Sequence, residues 1–236
     1  MGSKGERHLS RLAAPKTWKI KRKGIKFVTR PKPGMHSLKL GLPLNIVLKD
    51  IFDYIKTNKE IKYILNNWEV LIDGKRRKDP AFSVGFMDVL SIPKLKKNYR
   101  ILINKKGGLV SVEIDEKEAK IKLAKIKNKT LVKKQIQLNL SDGRNILAEK
   151  PESKVGDTLV FEIPSQKIIS SLKFEKGAII CLFAGKHAGQ IGKVEDIKEN
   201  KLIFKNNAGQ NIETLKGYAF VIGKEKPLIK IIENEH

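Results

Sequence analysis

The chain has 236 residues and carries 49 Lys and Arg against 25 Asp and Glu, a formal charge of +24. A hydrophobic fraction of 40% is enough for packed cores, so most of the chain is expected to fold, in more than one domain. The single cysteine, Cys181, rules out an internal disulfide, and there is no run of about 18 apolar residues to form a membrane-spanning helix.

Positive charge is concentrated at the start. Between Met1 and Lys39 lie twelve cations, and Glu6 is the only acid. Such a segment repels itself and builds no core of its own, so a polyanionic partner is expected beside it, with nucleic acid phosphate foremost. A solvated lysine-rich surface would mix both signs. A membrane-surface anchor would need a continuous amphipathic helix, which Pro15, Pro31 and Pro33 oppose. No secretory leader is expected, because the stretch is polar and basic. Residues 1–41 are therefore read as a basic, extended arm.

From Leu42 the character changes. Leu48, Ile51, Phe52 and Ile55 share one helix face, with Pro43 near the helix start. Thr57 and Glu60 have the spacing of a capping box, with Asn58 as an alternative cap, ahead of a stripe of Ile61, Ile64 and Leu65. Val70-Leu71-Ile72 then reads as a strand running into Asp73-Gly74, a tight-turn signal, and Lys75, Arg76, Arg77 and Lys78 follow at once. A rigid turn presenting four cations suits recognition of an RNA backbone. Residues 84–92 read as a further strand region, closed by Pro93. Residues 42–95 are thus expected to form a helix–helix–strand unit.

Beyond residue 96 the pattern is almost entirely strand. Ile101 and Ile103 alternate up to Gly107-Gly108, and Val110, Val112 and Ile114 alternate after it. In Lys120-Ile121-Lys122-Leu123 cation alternates with aliphatic, and the phase slips at Ala124, where a bulge or turn is expected. Further strands surround the turns at Asp142-Gly143 and Val155-Gly156, giving a central antiparallel β domain over 96–172. In 173–236, Ile179 to Phe183 reads as a buried strand in which Cys181 is a small hydrophobe. A glycine-rich basic loop, Gly185-Lys186-His187-Ala188-Gly189, leads to Ile191-Gly192-Lys193-Val194, and later strands complete a small barrel. The loop is not a P-loop: its spacing is too short, and Val194 stands where Ser or Thr is required.

No catalytic constellation appears. His8, His36, His187 and His236 lack metal-ligand spacing, and no serine sits in a nucleophile elbow. Asp50, Asp53, Asp88 and Asp157 read as helix-surface or turn residues. Neither a metal nor a cofactor is expected, and catalysis is not expected.

Several of these pieces resemble one family. Lys4-Gly5-Glu6-Arg7-His8-Leu9-Ser10-Arg11-Leu12-Ala13-Ala14-Pro15-Lys16-Thr17-Trp18, with Arg30-Pro31 and Leu42-Pro43-Leu44, resembles the N-terminus of the archaeal and eukaryotic small-subunit ribosomal protein S-four-e family. Residues 42–92 are similar to its S-four-type RNA-binding domain, most clearly at Asp73-Gly74-Lys75 and Gly85-Phe86-Met87-Asp88-Val89. Residues 179–197 are similar to its KOW motif at Gly185, Gly189, Gly192 and Lys193. Phe220-Val221-Ile222-Gly223-Lys224 and Lys226-Pro227 match near the end.

The resemblance implies an α+β, multi-domain chain: the arm, an S-four-type helix-helix-strand domain, the central antiparallel β domain and a C-terminal SH3-like KOW barrel. It also implies a structural constituent of the small ribosomal subunit that binds small-subunit ribosomal RNA beside neighbouring ribosomal proteins in the cytoplasm. Neither a membrane nor a small-molecule substrate is implied. The arm is then expected to thread between RNA helices. The candidate RNA-binding residues are Lys4, Arg7, His8, Arg11, Lys16, Trp18, Lys19, Lys21, Arg22, Lys23, Arg30 and Lys39 in the arm. Lys75, Arg76, Arg77 and Lys78 form the hairpin set, and Lys186, His187, Gly189 and Lys193 the loop set. The rival readings are an RNA-modifying enzyme with an S-four module and a KOW-type transcription or translation factor.

Overall fold

The computed structural model describes residues 8–52, 55–133, 135–149, 152–206 and 209–231. The chain separates into two compact units. The first holds residues 1–101 and 108–119, the second 102–107 and 120–236.

In the first unit, β1 (Leu9–Ser10) pairs antiparallel with β2 (Phe27–Val28). β3 (Gly41–Pro43) leads directly into helix α1 (Leu44–Ile51), and α2 (Asn58–Asn67) follows. Then come β4 (Leu71–Ile72), β5 (Lys75–Arg76), β6 (Ser83–Gly85), β7 (Val89–Ile92), β8 (Lys97–Ile103), β9 (Leu109–Ile114) and the four-residue helix α3 (Glu116–Ala119). β3 pairs with β6, and a five-stranded sheet runs in the order β5-β4-β7-β8-β9.

Local signals set several of these features. Thr57 Oγ1 accepts from the Glu60 amide at 3.3 Å while Glu60 Oε2 accepts from the Thr57 amide at 3.3 Å, a reciprocal cap of α2. Hydrogen bonding to the Glu60 carboxyl, from the Thr57 side chain first and then from the Thr57 and Lys56 amides, holds it below its ordinary pKa. Ile61, Ile64 and Leu65 are buried beneath it. α1 ends earlier than the apolar spacing suggests. Leu44, Val47 and Leu48 form its buried face, and Phe52 and Ile55 are buried beyond its end.

In the second unit, β10 (Ile121–Val132), β11 (Gln135–Leu140), β12 (Asn145–Ala148), β13 (Thr158–Glu162) and β14 (Ile168–Leu172) form one antiparallel sheet, ordered β12-β11-β10-β13-β14. β15 (Ile179–Leu182), β16 (Ile191–Lys198), β17 (Lys201–Asn206), β18 (Asn211–Leu215) and β19 (Ala219–Gly223) form another, ordered β18-β17-β16-β15-β19. The long β10 pairs through its first half with β13 and through its second with β11. Its register shift falls between Ile126 and Asn128 rather than at Ala124. Cys181 is buried in β15, and burial pushes its thiol up to about 12.

The α+β class is overturned. The described residues hold nineteen strands against three α-helices of 8, 10 and 4 residues, so the chain is mostly β. No separate helix–helix–strand unit closes over 42–95. Its strands β4, β5 and β7 continue through β8 into β9 as a single sheet, because each helix has too short an apolar face to bury a core without that sheet. The 84–92 region is also two strands, broken where Met87 takes φ +70° and its amide donates to the Ile101 carbonyl at 2.8 Å.

Nor are residues 8–40 an extended arm. Besides the β1–β2 pair, Trp18 is 2% exposed, and its indole Nε1 donates to the Leu38 carbonyl at 3.2 Å. Trp18 forms a parallel bridge with Leu109, and the Leu109 amide donates to the Thr17 carbonyl at 2.7 Å. The basic segment is thereby attached to β9 at the sheet edge. Burial of one large aromatic ring supplies the driving force that a cation-rich stretch otherwise lacks. Trp18→Ala is expected to lower stability by about 3–5 kcal/mol, read as a fall in the denaturation midpoint. An unchanged midpoint would show that the ring does not anchor the segment.

Candidate nucleic-acid interface

The Asp73-Gly74 turn joins β4 to β5 with φ of +49° and +74° at its two central residues, which matches a type I′ hairpin. Asp73 is buried, and its Oδ1 accepts from the Val89 amide at 3.0 Å. The turn is therefore pinned to β7 from behind. The four cations after it have different surroundings. Lys75 and Lys78 are exposed. Arg76 is exposed but donates to the Asn66 carbonyl at 3.1 Å, at the C-terminal end of α2. Arg77 is half-buried, its guanidinium 4.3 Å from the centre of the Phe82 ring.

The N-terminal candidates divide in the same way. Lys4 and Arg7 lie outside the described residues. Arg11 donates from Nε to the Ile25 carbonyl at 2.7 Å and from Nη1 to the Lys21 carbonyl at 2.8 Å. Arg22 donates to the Ala14 carbonyl at 2.9 Å. Both arginines thus tie the segment to itself, and Trp18 is core. His8 stacks obliquely on Phe27 at 5.2 Å. Lys16, Lys19, Lys21, Lys23, Arg30 and Lys39 are exposed.

In the 185–189 loop, Lys186 is exposed and His187 half-buried, and Lys193 is exposed on β16. Gly189 is buried at φ +80°. A Cβ there would overlap the Asn104 carbonyl and stand 2.8 Å from the Lys105 nitrogen. This glycine allows two segments of the protein to meet.

The sequence marks neither Arg100, Lys122 and Lys125 as buried cations nor the turn acids Asp88 and Asp157 as buried. Lys122 Nζ lies 3.2 Å from Asp142 Oδ2, which is also 3.3 Å from Arg144 Nε. Arg100 donates to the Glu118 carbonyl at 2.9 Å, and burial lowers its pKa. Lys125 Nζ donates to the carbonyls of Lys216, Gly217 and Ala219 at 3.3, 3.0 and 2.7 Å. Asp88, expected at a surface or turn, is fully buried; its Oδ2 accepts from the Gly85 amide at 2.8 Å and lies 2.8 Å from His36 Nε2. Asp157 is buried and accepts from the Lys154 and Phe174 amides at 2.6 and 2.8 Å. Asp50 is exposed beside Ser111, and Asp53 lies outside the described residues. Cation alternates with aliphatic at 120–123, yet residues 122–126 are all buried. The only signal for this in the sequence is the length of β10, which lets it pair on both sides.

Among the described residues, no three His, Cys, Asp or Glu side chains cluster to hold a metal ion, and no helix is long and apolar enough to cross a membrane. A β-rich chain with cations in large excess over acids, several of them displayed on pinned turns, is built like a ribosomal protein. Comparison with known sequences agrees. The family model described as "Ribosomal family S4e" matches residues 95–168, and that of the RS4NT (NUC023) domain matches residues 1–39. Two relatives are each named small ribosomal subunit protein eS4. That of Methanosphaera stadtmanae is 44% identical over 239 residues, covering 98% of this chain and 98% of its own. That of Methanocaldococcus jannaschii is 41% identical over 246 residues, covering 98% of this chain and 100% of its own. The crystal structure of the 30S ribosomal protein S4e from Thermoplasma acidophilum matches with a TM-score of 0.68 at 30% identity, covering 78% of this chain and 96% of that one. The chain belongs to the S4e family of small-subunit ribosomal proteins.

Lys125 gives a pH test of the inward-facing cations. Burial, and then the charge of Lys216, pushes its pKa down to about 8. The unfolded chain, with a lysine pKa of about 10.4, holds the proton more tightly than the fold does. The site therefore costs stability below about pH 8, and that cost fades as pH rises to about 10.4. Urea melts should show the wild type gaining stability over Lys125→Met across this window. A difference that stays flat would mean that the three carbonyls keep the amine fully charged.

Proposed function

We propose that this chain is a structural constituent of the small ribosomal subunit, where it binds and stabilises small-subunit ribosomal RNA for translation and performs no catalytic step. The observation that carries this reading is identity of about 40% with eS4 proteins along nearly the whole chain. The charge supports it. An excess of 24 cations is tolerable beside dense phosphate and unfavourable elsewhere. Its partners are that RNA and the neighbouring ribosomal proteins, within cytoplasmic ribosomes of archaeal type.

Binding is electrostatic and geometric. The exposed lysines of the N-terminal segment, Lys75 and Lys78 on the hairpin and Lys186 with Lys193 in the second unit would meet phosphate. The glycine turns and buried acids behind them hold the backbone in place, so little order has to be gained on binding. If about seven phosphates are neutralised, log K falls with log salt at a slope of about −5. The chain should co-sediment with small subunits through a moderate salt wash; release by mild salt would contradict the structural role.

Two variant sets separate RNA contact from folding. Lys75→Ala with Lys78→Ala should weaken binding to small-subunit ribosomal RNA and leave the melting temperature unchanged. Arg77→Ala should lower the melting temperature by removing the stack on Phe82, a contact worth about 0.5–2 kcal/mol. If the lysine pair binds normally, the hairpin does not face RNA.

A further inference from the structure

Helix α2 has only ten residues, marginal for an isolated helix in water, yet both of its ends are fastened. At the start, Thr57 and Glu60 close the capping box, and Glu60 Oε2 also accepts from the Lys56 amide at 3.1 Å. At the end, Asn67 Nδ2 donates to the Tyr63 carbonyl at 2.9 Å. Arg76 Nη2 reaches across from the β4–β5 hairpin to the Asn66 carbonyl at 3.1 Å. Ile61, Ile64 and Leu65 turn inward. The opposite face is therefore held in place, with a hairpin cation at its last turn.

That face shows an aromatic ring to solvent. Tyr63 is 66% exposed, and among the described residues its hydroxyl and ring have no hydrogen-bond or ring partner. Phe27 is the only other exposed aromatic side chain among them, and its ring centre has His8 at 5.2 Å and Lys26 Nζ at 5.4 Å. The packing of α2 makes no use of the Tyr63 ring. Lys59 at i−4 and Asn66 and Asn67 at i+3 and i+4 share its side of the helix, with about 5–6 Å between neighbouring Cβ atoms. All three are exposed. Glu60, the only acid in α2, has its carboxylate turned to the Lys56 and Thr57 amides at the helix start. A protein partner would bury such a ring among apolar neighbours, whereas the helix neighbours of Tyr63 at 59, 60, 66 and 67 are all polar. An open π-face with a cation one turn before it and amides one turn after it fits the face, phosphate and edge of a nucleotide.

We propose that the outer face of α2 is a stacking platform for one unpaired RNA base, which lies on the Tyr63 ring while Lys59 meets its phosphate. This rests on the RNA-binding reading above and adds to it a contact that is not ionic. Base–aromatic stacking accepts any base, because every base has a π-face. It also releases no counter-ions, so its loss weakens binding equally at every salt concentration. A phosphate-facing lysine does not share that signature.

The test uses the full chain and purified small-subunit ribosomal RNA, with binding measured across a potassium chloride series. Tyr63→Ala should weaken binding about 5- to 150-fold and leave the slope of log K against log salt unchanged. Tyr63→Phe, which keeps the ring, should bind like the wild type. Tyr63→Leu keeps an apolar side chain of good helix propensity and should lose affinity as Tyr63→Ala does, so the test stands even if the alanine variant folds poorly. Lys59→Ala should reduce the magnitude of the slope by about 0.7; an unchanged slope overturns its phosphate role. Wild-type affinity in Tyr63→Ala and Tyr63→Leu, with the wild type binding normally, overturns the platform and leaves the RNA-binding reading intact. If those variants are then retained less well in small subunits, the ring belongs to a protein partner instead. A loss in Tyr63→Phe equal to that in Tyr63→Ala makes the hydroxyl the contact and overturns stacking. Failure of the wild type itself to bind overturns the RNA-binding reading.

Discussion

The structure depends on what a chain with 49 cations and 25 acids does with its inward-facing positive charge. There are too few carboxylates to pair it, and a buried cation without partners costs several kcal/mol. Backbone carbonyls supply most of the partners. The buried Arg100 and Lys125 donate to main-chain oxygens, Lys125 to three at once, as do Arg11 and the exposed Arg22 and Arg76. The bonds of Lys125 join segments more than 90 residues apart, whereas the arginines tie segments 8 to 18 residues apart. Asp73, Asp88 and Asp157 are buried and accept from backbone amides at turns. Lys122 with Asp142 is a buried ion pair within this scheme.

The same division explains how a strongly basic chain folds and still binds. Cations turned inward are fixed by carbonyls and serve as cross-links. Those turned outward, such as Lys75, Lys78 and Lys186, stand on turns whose backbones are pinned from behind. β-structure suits this arrangement. A tight turn between paired strands shows a few side chains at a fixed place, and the many short strands supply many such turns. The N-terminal segment follows the same logic, with Trp18 buried and the lysines around it exposed.

Features set by near neighbours were legible in the sequence. The Thr57–Glu60 capping box, the Asp73-Gly74 hairpin and the buried Cys181 all form as their local pattern indicates. Features set by distant contacts were not. Nothing near Trp18 shows that it meets Leu109 or Leu38, and nothing near Lys125 shows the carbonyls some 90 residues away. The α+β class failed for the same reason. Two short helices stand out in a periodicity reading, whereas nothing local shows that the strands read at 70–72 and 84–92 continue through β8 into β9 as one sheet. The family model of S4e matches at residues 95–168, where alternation of polar and apolar residues offered no quotable motif. Most of the site candidates are cations, and charge does not distinguish a cross-linking arginine from a phosphate-facing lysine.

This division of cations is set by the fold of the free chain, before RNA arrives. Lysine acetylation read by mass spectrometry, on the free folded chain and on the chain within small subunits, measures it directly. Lys122 and Lys125 should resist modification in both states, while Lys75, Lys78 and Lys186 should react in the free chain and be protected in the particle. If Lys125 reacts as fast as Lys75 in the free chain, or if Lys75, Lys78 and Lys186 stay equally reactive in the subunit, the account is contradicted.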